Sequence, residues 1–322
     1  MPIVEKSLYK PHPFLKNPHA QTIFPAIFRQ VKDVHYKREL LRTPDKDTLE
    51  LDWSRVGATK LAIISHGLEG SSQQPYAKGM VKTLNQEGWD ALAWNFRGCG
   101  GRPSKFINSY HSGKTDDLDY ILKHTQSDKF YYEQVVLIGF SVGGNITLKY
   151  LGEKGQDIDP RLTHSVSFSV PLHLESTSDQ LAKRENRLYM EWFLWSLRRK
   201  IKGKESEMRL FGLDTNNLHR ISTFYEFDNR FTAPLNGFKD ALDYWKKSSS
   251  LHYLSGIKIP SLVVNSLDDP FLTDLCFPYQ ESKEHPYLFL ETPERGGHVG
   301  FFSSQSSYWA EERAVKFILW GE

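Results

Sequence analysis

Gln134-Val135-Val136-Leu137-Ile138-Gly139-Phe140-Ser141-Val142-Gly143-Gly144-Asn145 is the stretch on which the fold turns. The apolar run up to Ile138 reads as a buried strand, and Ile146-Thr147-Leu148-Lys149-Tyr150-Leu151 reads as the start of a helix. Between them lies a Gly-x-Ser-x-Gly turn. A serine on a sharp strand-to-helix turn is lifted clear of both elements, and Gly139 and Gly143 let the backbone fold tightly around it. Ser141 is therefore a candidate nucleophile and the chain a candidate hydrolase. The plain alternative is a glycine-rich turn with an idle serine. The strand before it and the helix after it argue against that.

A serine hydroxyl is a poor nucleophile at neutral pH. It needs a base to take its proton, and the base needs a carboxylate to fix its tautomer. Downstream of the elbow, an acidic residue and then a histidine each fall just past an apolar run. Ile259–Asn265 reads as a buried strand that ends in Ser266-Leu267-Asp268-Asp269-Pro270. Pro286–Glu291 reads as another strand, which runs through a turn into Gly296-Gly297-His298-Val299-Gly300-Phe301. Asp269 is the expected partner of His298. Its neighbour Asp268 is read as a turn-forming carboxylate bonded to local backbone N–H groups. His66, in His66-Gly67-Leu68-Glu69-Gly70 after the strand Leu61–Ser65, is read as structural. Its loop can present one backbone N–H to a reacting carbonyl, and the residue after the nucleophile presents another. Those oxyanion donors are Leu68 and Val142. Asn95-Phe96-Arg97-Gly98-Cys99-Gly100-Gly101 matches neither common phosphate-loop pattern, so Arg97 is read as bracing the loops around the site.

Taken together, these segments resemble the α/β-hydrolase superfamily, and within it the YheT-like branch. Asn17-Pro18-His19-Ala20-Gln21-Thr22 and Phe227-Asp228-Asn229-Arg230-Phe231-Thr232-Ala233-Pro234 belong to the same likeness, which spans nearly the whole chain. The resemblance implies a Ser141–Asp269–His298 triad, and the spacing of Asp269 from His298 is similar to the family's. It also implies carboxylesterase or lipid-acting hydrolase activity; the chemistry of such a triad requires no metal or organic cofactor.

At 322 residues the chain can bury one large core, or one core plus an insertion. A net charge of +2 gives no reason to expect nucleic acid as a partner. Two cysteines, Cys99 and Cys276, are too few for a disulfide framework and read as free thiols in a reducing compartment. No stretch resembles a signal peptide or a membrane-spanning helix, so a cytoplasmic location is expected, with peripheral membrane contact left open.

Strand-like runs at 61–65, 91–95, 134–139 and 164–170 alternate with helices at 76–86 and 115–125. This predicts a mostly parallel sheet flanked by helices, with the His66 loop following its third strand. Ligands bind beyond the carboxyl ends of such strands, where Leu68, Ser141, Asp269 and His298 all fall. Residues 172–250 carry no strand pattern and are expected to form a helical cap inserted in one catalytic domain. That domain comprises 1–171, with an N-terminal arm to about 35, and 251–322. In the cap, Leu188, Trp192 and Trp195 recur at helical spacing, with Phe193 and Leu197 beside them, ahead of Arg198, Arg199, Lys200, Lys202 and Lys204. Packing of this stripe on the core is the preferred reading; a helix touching anionic lipid is the other. Phe14, Phe24 and Phe28 either pack on the cap or line the pocket. The expected function is hydrolysis of small to medium acyl esters through an acyl-enzyme. The rivals are an acyltransferase with the same triad and a non-catalytic ligand-binding homologue.

Overall fold

The computed structural model describes residues 3–105, 110–127, 129–303 and 307–321. Within them the strands are β1 (Ile3–Val4), β2 (Lys37–Arg42), β3 (Thr48–Ser54), β4 (Lys60–Ser65), β5 (Asp90–Asn95), β6 (Gln134–Phe140), β7 (Leu162–Phe168), β8 (Ser261–Val264) and β9 (Leu288–Glu291). The helices in the first half are α1 (Pro18–Phe28), α2 (Pro75–Gln86), α3 (Asp116–His124) and α4 (Val142–Lys154). Those that follow are α5 (Leu174–Ala182), α6 (Arg187–Lys202), α7 (Glu205–Leu210), α8 (Phe224–Phe227), α9 (Ala233–Leu235), α10 (Ala241–Ser248), α11 (Tyr279–Glu284) and α12 (Trp309–Trp320).

The strands form one sheet in the order β1-β9-β8-β7-β6-β4-β5-β3-β2. All neighbours are parallel except β3, which runs antiparallel to both β2 and β5. The expected α/β-hydrolase architecture is thus the one observed. The His66 loop, however, follows the fourth strand rather than the third. Ile3–Val4 adds a two-residue edge strand too short to leave a pattern in the sequence.

Alternation along the central strands divides the core. Leu61, Ile63, Leu92, Trp94, Val135 and Leu137 point to the side carrying α3 and α4. Ala62, Ile64, Ala91, Ala93, Val136 and Ile138 point to the side carrying α2 and α12. Both faces being covered, the strands read as near-continuous apolar runs.

Residues between β7 and β8 form helices and no strand. They have an apolar cluster of their own around Leu181, Met190, Leu194, Phe227 and Phe231, which reaches Phe271 beside the sheet. Here the preferred reading of α6 fails. Leu188, Trp192 and Trp195 are 82%, 69% and 54% exposed, whereas Met190, Leu194 and Ile201 are the buried residues of the helix. Phe193 and Leu197, beside the stripe, do turn inward and pack against this cluster. The N-terminal phenylalanines also stay largely outside: Phe14 and Phe28 are exposed, and Phe24 packs its ring on Phe28 and Phe302. His19 of α1 meets α6, its ring stacking on Tyr189.

Candidate active site

β6 leads directly into Ser141, and α4 begins at the next residue. Ser141 has φ 53° and ψ −122°, a conformation that a non-glycine residue holds only under constraint. The constraint is close packing. A Cβ on Gly139 would lie 2.5 Å from the Gly144 Cα, and one on Gly143 would lie 2.3 Å from the Ser65 carbonyl oxygen. The two glycines let the elbow approach both its own helix and the β4 loop.

His298 and Asp269 meet Ser141 beyond the strand ends. His298 Nε2 lies 2.9 Å from Ser141 Oγ. His298 Nδ1 lies 2.9 Å from Asp269 Oδ2 and 3.1 Å from Oδ1. Asp269 is buried, and its Oδ1 also accepts the Phe271 N–H at 2.9 Å. Phe271 covers the imidazole, ring centroids 4.2 Å apart. With Nδ1–H directed at a carboxylate, Nε2 is free to accept the serine proton.

Asp268 has a different task. Its Oδ1 accepts the Gly297 N–H at 2.9 Å, from the residue just before His298. It is a brace for the histidine loop rather than a local turn former, and burial pushes its carboxyl above the usual range. That loop is strained: Val299 has φ 57° and Phe301 φ 40°. Ser266 Oγ donates to the Gly297 carbonyl, and the Val299 N–H donates to Ser169 Oγ.

The Asn17–Thr22 motif explains itself here. Asn17 caps α1 by accepting from the His19 and Ala20 N–H groups. Thr22 Oγ1 donates to the Pro18 carbonyl and accepts the His298 N–H at 2.9 Å. Sequence reasoning missed Thr22, Ser169 and Phe271 as supports of the histidine. Thr22 alone left a signal, as part of the quoted motif.

The loop after β4 brings Leu68 to the same cavity as Ser141, Val142 and His298. The N–H groups flanking Leu68 are occupied: Gly67 donates to Tyr76 Oη at 2.9 Å and Glu69 to Tyr110 Oη at 2.9 Å. Val142 opens α4, so its N–H has no acceptor one turn back within the helix. Leu68 and Val142 thus both line the cavity that holds Ser141 and His298. His66 is structural, as read: Nε2 accepts the Phe96 N–H at 3.0 Å and Nδ1 donates to the Gly67 carbonyl at 2.7 Å. Arg97 is likewise a brace, pairing with Asp117, Asp45 and Asp47, on the rim of a neighbouring cavity.

The cavity over Ser141 is walled by Leu174, Leu181, Phe193, Leu197, Phe224 and Phe271. Its lining is more polar at Asp228, which accepts from Thr232 Oγ1 at 2.6 Å and Trp245 Nε1 at 2.8 Å. Burial raises the Asp228 carboxyl to about 6 and lowers His66 to about 4 and His111 to about 3. The histidines favour the folded state above their ordinary value of 6.5, and that stability is lost as pH falls toward their native values. Asp228 acts in the opposite sense: its native state holds the proton more tightly, so its contribution is lost as pH rises from 3.8 through about 6. Denaturant unfolding should therefore show wild-type stability declining below about pH 6.5, by roughly a few kcal/mol. Asp228→Asn should make that decline steeper, because the opposing group is gone; an unchanged slope would contradict the assignment.

Among the described residues no group of three or more His, Cys, Asp or Glu side chains is gathered as a metal site would require. Cys99 and Cys276 are free thiols. No helix among the described residues is long and apolar enough to cross a membrane.

Comparison with known proteins agrees with this architecture. The family profile described as alpha/beta hydrolase fold matches residues 62–304. The chain is 33% identical to the Escherichia coli K12 protein named "Putative esterase YheT", over 94% of this chain and 90% of that one. It is 27% identical to human "Phospholipase ABHD3", covering 95% of this chain and 77% of the other. To the Saccharomyces cerevisiae "Monoacylglycerol lipase" it is 29% identical, covering 86% of this chain and 62% of that protein. Among solved structures, the Pyrococcus furiosus esterase Pf2001 superposes with a TM-score of 0.59 at 20% identity, covering 88% of this chain and 91% of that one. The elbow, the sheet order and these likenesses agree: the chain belongs to the α/β-hydrolase family.

Proposed function

We propose that the protein is a serine hydrolase of carboxylic esters with small to medium acyl chains. The relay Ser141–His298–Asp269, with contacts of 2.9 Å at both joints, is the observation that carries this reading. Ser141 Oγ attacks the ester carbonyl as its proton passes to His298 Nε2. Asp269 holds the imidazolium, and the Leu68 and Val142 N–H groups receive the oxyanion. The leaving alcohol takes the proton back from His298. Water, activated by the same nitrogen, then releases the acid from the acyl-enzyme. The names of the relatives, an esterase, a phospholipase and a monoacylglycerol lipase, favour an ester with an apolar acyl group. The apolar wall of the cavity favours it too.

In this reading residues 172–250 act as a cap that shapes the acyl site and excludes water during chemistry. An acyltransferase would use the same relay with an alcohol in place of water; product analysis with added alcohols separates the two. The free thiols fit the expected cytoplasmic location. The test is fluorophosphonate labelling beside a p-nitrophenyl ester series of increasing chain length. Labelling with a chain-length optimum supports the proposal. A folded protein that neither labels nor turns over any ester sinks it in favour of a non-catalytic binding module.

The outer face of α6 favours a second element, contact with a lipid surface. Leu188, Trp192 and Trp195 are exposed on a helix whose last turn also exposes Arg199 and Lys202. Exposed aromatic residues beside cations suit the boundary of an anionic bilayer. The wild type should cosediment with vesicles containing anionic phospholipid, and Trp192→Glu with Trp195→Glu should reduce the bound fraction several-fold. Equal binding by the double variant would refute the assignment.

A further inference from the structure

Glu69, the residue after the proposed oxyanion donor Leu68, is held by two elements distant in sequence. Its side chain is only 4% exposed. Oε2 accepts from Ser196 Oγ at 2.5 Å, and Oε1 accepts from Lys200 Nζ at 2.7 Å. Ser196 and Lys200 lie one turn apart on α6, so a single face of that helix grips both carboxylate oxygens. Tyr110 completes the hold: its hydroxyl donates to Oε1 at 2.8 Å and accepts the Glu69 N–H at 2.9 Å.

The backbone shows what this grip maintains. Glu69 has φ 53°, in the left-handed region, inside the turn closed by the Gly70 N–H and the Gly67 carbonyl. A non-glycine residue kept there costs about 1 kcal/mol or more unless its surroundings fix it. The direction of the Leu68 N–H depends on that turn. An oxyanion donor must point at the place where charge develops, and small misalignments weaken it steeply.

We infer that Glu69 is a positioning residue through which α6 sets the oxyanion hole, so that the Leu68 N–H is aligned only when Ser196 and Lys200 are docked on the carboxylate. Lys200 Nζ also lies 3.2 Å from Cys99 Sγ, a thiol that burial pushes up to about 12 and keeps neutral. Glu69 is therefore the negative partner of Lys200. The arrangement makes helix position part of catalysis: a substrate seated beneath α6, against Phe193 and Leu197, is coupled through Glu69 to the group that stabilises its own transition state.

The inference rests on the hydrolase reading, and its test separates the two. Glu69→Gln, Lys200→Met and Ser196→Ala are compared with wild type for kcat and KM on a p-nitrophenyl ester, and for the affinity of a trifluoromethyl ketone. That ketone becomes a tetrahedral oxyanion on the serine. Loss of one oxyanion donor costs roughly 10²–10³ in kcat, so its misalignment should cost about 10–100-fold. The expected result is a fall in kcat with KM nearly unchanged, ketone affinity weakened by a similar factor, and partial rescue in Lys200→Arg. Glu69→Gln and Lys200→Met should be far from additive when combined. Ser196→Ala, which removes one hydrogen bond and leaves the ion pair, keeps the question answerable should a charge variant misfold. Folded variants with wild-type kcat and ketone affinity overturn the inference and leave the hydrolase reading standing. A wild type inert to esters and to fluorophosphonate overturns both.

Discussion

Ser141→Ala should abolish ester hydrolysis and fluorophosphonate labelling while leaving the fold intact. The substitution removes only Oγ, whose one described partner is His298 Nε2. It leaves a Cβ where one already stands, at the strained elbow. Loss of a serine nucleophile costs on the order of 10⁴–10⁶ in kcat, the residue of activity coming from the oxyanion donors and binding. The melting temperature should stay within a few degrees of wild type, because no buried apolar surface is lost. Turnover of p-nitrophenyl esters at wild-type rate by this variant would show that Ser141 is not the nucleophile.

Asp269→Asn and Asp268→Asn should differ by orders of magnitude, although the residues are adjacent. At position 269 the Phe271 N–H fixes the orientation of an amide, because it requires an acceptor where Oδ1 now lies. The amide nitrogen must then stand at the Oδ2 position, 2.9 Å from His298 Nδ1. Two donors cannot face one another, so the imidazole shifts its proton to Nε2, which can no longer accept from Ser141. That wrong tautomer costs about 10⁴ in kcat in comparable relays. At position 268 an asparagine oxygen still accepts the Gly297 N–H, and the expected loss is less than about 10-fold. The ratio of kcat for the two variants is the measurement. Equal losses would mean that the histidine loop, not the tautomer, limits the reaction.

The sheet and elbow were legible in the sequence because the information is local. Val135–Ile138 and Leu61–Ile64 are apolar runs bounded by turn residues, and glycines flank Ser141 where close approach forbids a Cβ. The partners of Ser141 followed from chain order and from their place after apolar runs. What failed on α6 is different in kind. Leu188, Trp192 and Trp195 and the offset set Met190, Leu194 and Ile201 both satisfy helical spacing. Which set turns inward is decided by Phe227, Phe231 and Phe271, brought up from elsewhere in the chain. Periodicity reports that a stripe exists and not what meets it. The same limit hid the grip on Glu69, whose partners are 127 and 131 residues away. The task of Asp268 was hidden for the same reason: its acceptor role reaches across to the histidine loop rather than along its own turn.

The hydrogen bond from His298 to Thr22 spans 276 residues, and β1 pairs with β9 across a comparable separation. During synthesis the segment around Thr22 emerges long before its acceptor role can be filled. It must wait, unpaired, until the strand Leu288–Glu291 and the histidine loop have left the ribosome. Contacts of such separation form late, because the chain entropy they cost is repaid only after most of the molecule has condensed. On the proposed mechanism, reactivity is thus a terminal event of folding: a nascent chain that has already built its elbow still has no His298 beside Ser141.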